Sequence, residues 1–306
     1  MTVNKILVSV VMSVYNESRY LNLAIKSILK QSFSNFEFII VDDYSSKTVK
    51  KILAKYKKKD KRIKIISNPK NLGLTKSLYK AIRHAKGKYV ARIDSDDFSL
   101  KYRLEKQFSW LEASSKRVMC GTNFYLLNNN LNLKKMNIEF GNENIKRNMI
   151  FKNCFQHSSV MFRLSTYKKI GGYDKNLKYS QDYALWSRFI QRGKVDNLKD
   201  RLIIKRDHKN SISSKYLNEQ TLYSIFISCN NFNYKKNKFF FNTKKTLKEN
   251  LLYLNKKKFL YFFYQSLIFL NRKKLDKKYY LSFLQLHIKS LFYCILQPKM
   301  FLYTLV

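Results

Sequence analysis

Lys88-Tyr89-Val90-Ala91-Arg92-Ile93-Asp94-Ser95-Asp96-Asp97 is the stretch on which the reading of this chain turns. An apolar run, strand-like over residues 88–93, ends in three carboxylates almost side by side. Like charges this close raise one another's pKa unless a cation or a hydrogen-bond network compensates them. A buried strand that ends so points to a divalent cation at its C-terminal edge, and oxygen ligands favour Mg²⁺ or Mn²⁺ over zinc. The competing reading is a solvated acidic turn. The residues upstream decide between the two.

Upstream, strand-like and helical patterns alternate. Residues 6–14, 36–41, 63–66 and 88–93 read as strands. Residues 20–30, 48–59 and 74–85 read as helices, the first with apolar positions at Leu21, Ala24, Ile25 and Ile28. Continuous β-rich runs separated by helices predict an α/β fold with a parallel sheet covered on both faces. Ligands of such sheets bind beyond the carboxyl ends of the strands. Each polar cluster falls there: Tyr15-Asn16-Glu17, Asp42-Asp43, residues 68–73 and residues 94–97. Further on, residues 102–113 and 182–192 read as helices, and 118–127, 160–163 and 201–205 as strands. Gly171-Gly172-Tyr173 reads as a turn whose aromatic ring is suited to face a sugar. A boundary near Ser214 separates residues 1–214 from a basic, aromatic-rich helical region, 215–306.

The 306 residues carry 61 Lys and Arg against 20 Asp and Glu, a net charge of +41, and 45% are hydrophobic. That charge implies attraction to a polyanion or an acidic lipid surface. Abundant Lys, Asn, Ile, Phe and Tyr with 7 Gly and 2 Pro also fit A/T-rich coding, in which case the charge is compositional. Cys120, Cys154, Cys229 and Cys294 are scattered, which argues against a disulfide scaffold or zinc site and fits a reducing compartment. No signal peptide is read at the start, and the apolar stretches at 259–270 and 291–306 fall short of the roughly 20 residues of a spanning helix. The expectation is a cytoplasmic protein, soluble or peripheral on the cytoplasmic face of the inner membrane.

Several motifs occur in order: residues 8–17 (ending Val14-Tyr15-Asn16-Glu17), Ser27-Ile28-Leu29-Lys30-Gln31-Ser32-Phe33, Phe38-Ile39-Ile40-Val41-Asp42-Asp43, Asn68-Pro69-Lys70-Asn71-Leu72-Gly73 and Ala91-Arg92-Ile93-Asp94-Ser95-Asp96-Asp97. Over residues 5–213 the chain resembles the family 2 glycosyltransferases with their GT-A fold. The resemblance implies inverting transfer of a hexose or N-acetylhexosamine from a nucleotide-sugar, usually UDP-linked, with Mn²⁺ or Mg²⁺. Asp94-Ser95-Asp96 matches the DxD motif. Asp96 is the first choice as metal ligand; Asp94 ligates too or contacts ribose or sugar, and Ser95 lies with them at the donor.

By the same resemblance Tyr15 and Glu17 sit where uracil and ribose bind, with helix capping the alternative for Asn16 and Ser18. Asp42 matches the position that reads the uracil N–H, although Tyr44 stands where a small residue is usual. Arg92 pairs with Asp42, a phosphate or a structural partner, and Asp97 caps the following helix or joins the acidic site. Asp182, in Lys178-Tyr179-Ser180-Gln181-Asp182, matches the proposed catalytic base, with helix capping as its alternative; Gln181 replaces the usual Glu. His157 orients the donor or is bonded to backbone. Arg206 and His208 lie in a loop near the diphosphate, with His208 a further metal ligand.

Past residue 239, Lys clusters flank aromatic runs, a pattern that suits an anionic membrane surface or a bundle packed on the domain. The leading expectation is synthesis of a surface glycan such as capsule, O-antigen or lipooligosaccharide, on a glycan or lipid-linked acceptor. A basic nucleic-acid-binding protein and an inactive family member are the alternatives. The Lys residues are dispersed and no nucleic-acid motif is present, so no nucleic acid is expected. Oligomeric state has no signature here.

Overall fold

Val8–Val14 (β1) and Phe36–Asp42 (β2) are almost wholly apolar because both faces of each strand are covered. Along β1, Val8, Val10, Met12 and Val14 enter one core while Val11 enters the other, the period-2 alternation of a pleated strand. These features come from a computed structural model that describes residues 6–149 and 152–208, with Tyr216, Gln220, Tyr223, Ser224 and Ile227.

Helices Leu21–Leu29 (α1) and Lys47–Lys59 (α2) cover one face, and Leu74–Arg83 (α3) covers the other. Strands Ile63–Ser67 (β3) and Tyr89–Arg92 (β4) complete a parallel unit, with β2 and β4 on either side of β1. Val14 pairs with Asp42 and Asp42 with Ser67, so these strand ends lie level along one rim. Each fully buried Val, Ile or Leu contributes about 1.5–3 kcal/mol, and dozens of such positions outweigh the few buried charges.

The chain continues through Phe98–Ser99 (β5), Arg103–Glu112 (α4), Arg117–Leu127 (β6), Leu133–Met136 (β7) and Asn142–Asn148 (α5). A 3-10 turn at His157–Ser159 leads into Met161–Arg163 (β8), then Leu164–Lys169 (α6), Gln181–Phe189 (α7) and Lys194–Arg206 (β9). The sheet order is β3-β2-β1-β4-β8-β6-β9-β5, with β7 on β6. Beyond β4 it is no longer parallel throughout: β8 runs antiparallel to both β4 and β6. Parallel pairing returns between β6 and β9, so the α/β sheet is mixed, with its antiparallel pairings at β8, β5 and β7.

Gln31 explains part of an ordered motif. Its amide donates to the Leu100 carbonyl at 2.9 Å and accepts from Leu104 N at 3.0 Å, fastening the segment after the acidic cluster to α1. Strand β9 begins seven residues before the expected 201–205 segment, because its first half is polar and edge-like. Asn197 there donates to the Glu139 and Cys154 carbonyls.

Tyr216 and Tyr223 pack their rings on Tyr179, and Ile227 is buried in the core. The expectation of a membrane-facing basic helical region falls on positions otherwise outside the described residues. No helix among the described residues is long and apolar enough to cross a membrane.

Candidate active site

Beyond β4 the chain turns at the sheet's C-terminal edge, and oxygens of Asp94, Asp96 and Asp97 lie within 4.8 Å of one another. Arg92, only 2% exposed, grips both oxygens of Asp94 with its guanidinium. Its carboxylate partner is therefore Asp94 and not Asp42. A second buried guanidinium, Arg103, donates to the Arg92 carbonyl at 2.6 Å, and burial pushes its pKa down to about 9. Asp96 meets His208 Nε2 at 2.9 Å; burial and the Asp94 charge raise the Asp96 pKa despite that contact.

Asp97 is not a helix cap, since α4 begins only at Arg103. Its carboxylate is buried, accepting from Ser158 Oγ and, at 3.0 Å, from the backbone N–H of Arg206. Burial, then the charges of Asp96 and Asp94, raise its pKa. Positive charge from the protein therefore compensates the cluster incompletely. A site of carboxylate oxygens with one imidazole suits a hard divalent cation such as Mg²⁺ or Mn²⁺, and such an ion would supply the missing charge.

The rim of β1 and β2 is built differently from the sequence expectation. Glu17 accepts from Tyr20 N at 2.8 Å, so it, and not Asn16 or Ser18, satisfies an open N–H at the start of α1. Asn16 adopts a left-handed backbone (φ 55°), and its Oδ1 accepts from Ser46 N at 2.9 Å, tying the β1 and β2 loops together. Asp42 accepts from Ser45 N at 2.8 Å, which shapes the turn containing Tyr44. Tyr44 has φ 66°, a left-handed backbone that costs a non-glycine residue roughly 1–2 kcal/mol. Tyr15 and Tyr44 stand exposed on this rim.

Asp43 holds the 68–73 loop by accepting from Asn68 Nδ2 (2.7 Å), Leu72 N (2.8 Å) and Gly73 N (2.8 Å). Asp43→Ala leaves these donors unsatisfied and is expected to cost about 2–4 kcal/mol. Urea denaturation measures this directly, and an unchanged midpoint would show the loop to be held otherwise.

Further along the chain, Ser180 (φ 51°) precedes α7, and Asp182 lies in its first turn. Asp182 is partly exposed and accepts from Asn153 Nδ2 at 2.8 Å. Burial raises its pKa, countered first by the Tyr183 backbone N–H and then by Arg92. Gln181 beside it is buried. His157 bonds the Tyr173 hydroxyl at 2.6 Å, not the backbone. Burial and the Arg92 charge hold the His157 pKa well below its ordinary value, so the ring is neutral. Tyr173 feels Arg92, Asp182 and Asp94 together, and Arg92 feels Asp94 and Asp97. Arg92 and Tyr173 thus feel both the acidic cluster and Asp182.

Tyr20, Arg103 and Asn153 escaped the sequence reading. The Arg206 guanidinium lies 4.2 Å from the centre of the Tyr20 ring, with the His208 ring 6.1 Å from Tyr20. No motif signals this stack, because Tyr20 reads as an ordinary helix-start residue. A separate cavity of about 490 Å³, lined by Trp110, Arg117, Asn142 and Lys194 among others, includes none of the candidate residues.

The sequence profile of Glycosyl transferase family 2 matches residues 9–170, just over half of the chain. The chain belongs to glycosyl transferase family 2. This glycosyltransferase is 38% identical over 231 residues to an uncharacterized glycosyltransferase of Methanocaldococcus jannaschii, covering 73% of this chain and 78% of the relative. It is 35% identical over 217 residues to the O-antigen biosynthesis glycosyltransferase WbnJ of Escherichia coli, covering 69% and 84%. The crystal structure of S. aureus TarS 1-349 in complex with UDP-GlcNAc shares its fold, with a TM-score of 0.63 at 18% identity over 76% of this chain and 68% of that one. The fold is therefore that of the GT-A glycosyltransferases. The family match includes Tyr15, Asp42, Asp94, Asp96 and His157 but stops before Asp182, Arg206 and His208.

Proposed function

We propose that this glycosyltransferase moves a hexose or N-acetylhexosamine, with inversion, from a UDP-sugar to a glycan or lipid-linked acceptor in surface polysaccharide synthesis. The observation that supports the reading is that Arg92 and Tyr173 each feel both the Asp94 carboxylate and Asp182. The O-antigen role in the name of the Escherichia coli relative supports the acceptor class.

Asp96, with Asp94 and His208, would hold the divalent cation, which when bound stabilises negative charge developing on the leaving diphosphate. Arg206, fixed over Tyr20, offers a guanidinium to the phosphate oxygens beside it. Tyr15 and Tyr44 offer exposed rings to the base. Asp182 takes the proton of the acceptor hydroxyl as that oxygen attacks the anomeric carbon from the face opposite the leaving group. A raised pKa suits this role, because a more basic carboxylate accepts a proton more readily. Gln181 keeps hydrogen-bonding capacity without adding a second negative charge.

The test is a panel of nucleotide-sugars with Mn²⁺, read by released nucleoside diphosphate and including thymidine and guanosine donors. UDP release from a UDP-sugar, rising when an acceptor glycan is added, is the expected result. Release from no donor in the panel would refute the activity. The Lys-rich sequence beyond residue 227 suits work at the cytoplasmic membrane face. Co-sedimentation with anionic but not neutral liposomes, lost at high salt, is the expected measurement.

A further inference from the structure

We infer that Tyr173 is a positioning residue whose hydroxyl fixes the imidazole of His157 in the tautomer protonated on Nδ1, presenting an N–H donor to an oxygen of the transferred sugar. The sugar contact rests on the function proposed above; the tautomer follows from the protein alone. Tyr173 is 2% exposed, and His157 Nε2 at 2.6 Å is the hydrogen-bond partner of its hydroxyl among the described residues. A buried O–H must place its proton on an acceptor, and among the described residues only Nε2 is within reach. The hydroxyl therefore donates, Nε2 accepts through its lone pair, and the neutral ring carries its proton on Nδ1. The opposite arrangement, Nε2–H donating to the phenol oxygen, would leave the phenol proton buried and unpaired.

Nδ1 has no protein partner among the described residues, and His157 is partly open to solvent. His157 lies against Tyr173 and feels the charge of Arg92, which in turn feels Asp94 and acts on Asp182. An oxygen there, such as a sugar hydroxyl, is what such a donor recognises.

The backbone leaves the tyrosine little freedom. Gly171 and Gly172 have φ of 80° and 67°, and a Cβ on Gly172 would come within 2.6 Å of the Tyr167 ring. Tyr167 Oη accepts from Tyr173 N at 3.0 Å. Trp186 packs edge-on against both partners, with ring centres 6.0 Å from His157 and 6.5 Å from Tyr173. Glycine is required here so that the turn can deliver the hydroxyl to the imidazole.

The test is ¹⁵N NMR of histidine-labelled full-length protein, without ligand, on the native chain and on Tyr173→Phe, which keeps the ring. The native protein should show a pyrrole-type Nδ1 and a pyridine-type Nε2 for His157, and Tyr173→Phe should shift toward the other tautomer. A native Nε2–H, or a tautomer unchanged in Tyr173→Phe, overturns the inference. Turnover is then measured as UDP release from UDP-glucose and UDP-GlcNAc. Tyr173→Phe should lower kcat/KM about tenfold, the loss of one hydrogen bond. His157→Asn, whose amide can stand in for Nδ1–H, should retain more activity than His157→Gln. If the tautomer is as inferred but Tyr173→Phe and both His157 variants turn over like the native protein, the sugar contact is refuted and the tautomer assignment stands.

Discussion

Asp182→Asn is expected to lower sugar transfer by about a thousandfold, within the usual range for loss of a general base, while donor binding stays within twofold. The substitution is nearly isosteric, and the amide oxygen can keep the bond from Asn153 that the carboxylate now accepts at 2.8 Å. A folding defect is therefore not the expected outcome, and thermal melting checks that. The pH profile carries a second signature. The base works only as an anion, and burial raises its pKa. Activity should accordingly fall as pH drops through a value above that of an ordinary aspartate. Wild-type turnover in Asp182→Asn, or an acidic limb at the ordinary Asp value, would remove the base assignment.

Asp96→Asn is expected to be the second severe lesion. Stabilisation of a leaving diphosphate by a bound cation amounts to several kcal/mol, so turnover at limiting Mn²⁺ should fall about a hundredfold or more. Chelation of the native enzyme should give the same loss, with recovery on adding Mn²⁺ or Mg²⁺. Stability should move the other way. Burial and Asp94 raise the Asp96 pKa, so its anion at neutral pH destabilises the metal-free fold. Asn removes that strain, and the metal-free variant should melt no lower than the native protein. Full activity in Asp96→Asn under chelation, or a clear loss of metal-free stability, would contradict the site.

Much of this was legible in the sequence because burial on both faces leaves uninterrupted apolar runs. Residues 6–14 and 36–41 reveal β1 and β2 for that reason, and the carboxylates at their ends mark the rim. Strand β5 has two residues and β7 is a Lys-rich edge, so neither leaves a periodic trace. Side-chain partnerships were less accessible. The Arg92–Asp94 pair, the capping by Glu17 and the hydroxyl bond of His157 depend on rotamers and on which loops meet, and spacing encodes neither. Asp97 shows the limit best: its sequence fits a helix cap as well as a member of the acidic site, and its partners lie 61 and 109 residues away.

That carboxyl behaves as a rivet through three layers of chain. It joins the acidic turn, the 157–159 bend and the last residue of β9, so the walls proposed to hold the cation and to face the sugar cannot be rebuilt independently. Attempts to redirect acceptor choice by shuffling the 157–159 bend should succeed only in clones that keep a hydroxyl at 158. Chains cut before Arg206 should lose the acidic turn's geometry even though every aspartate remains.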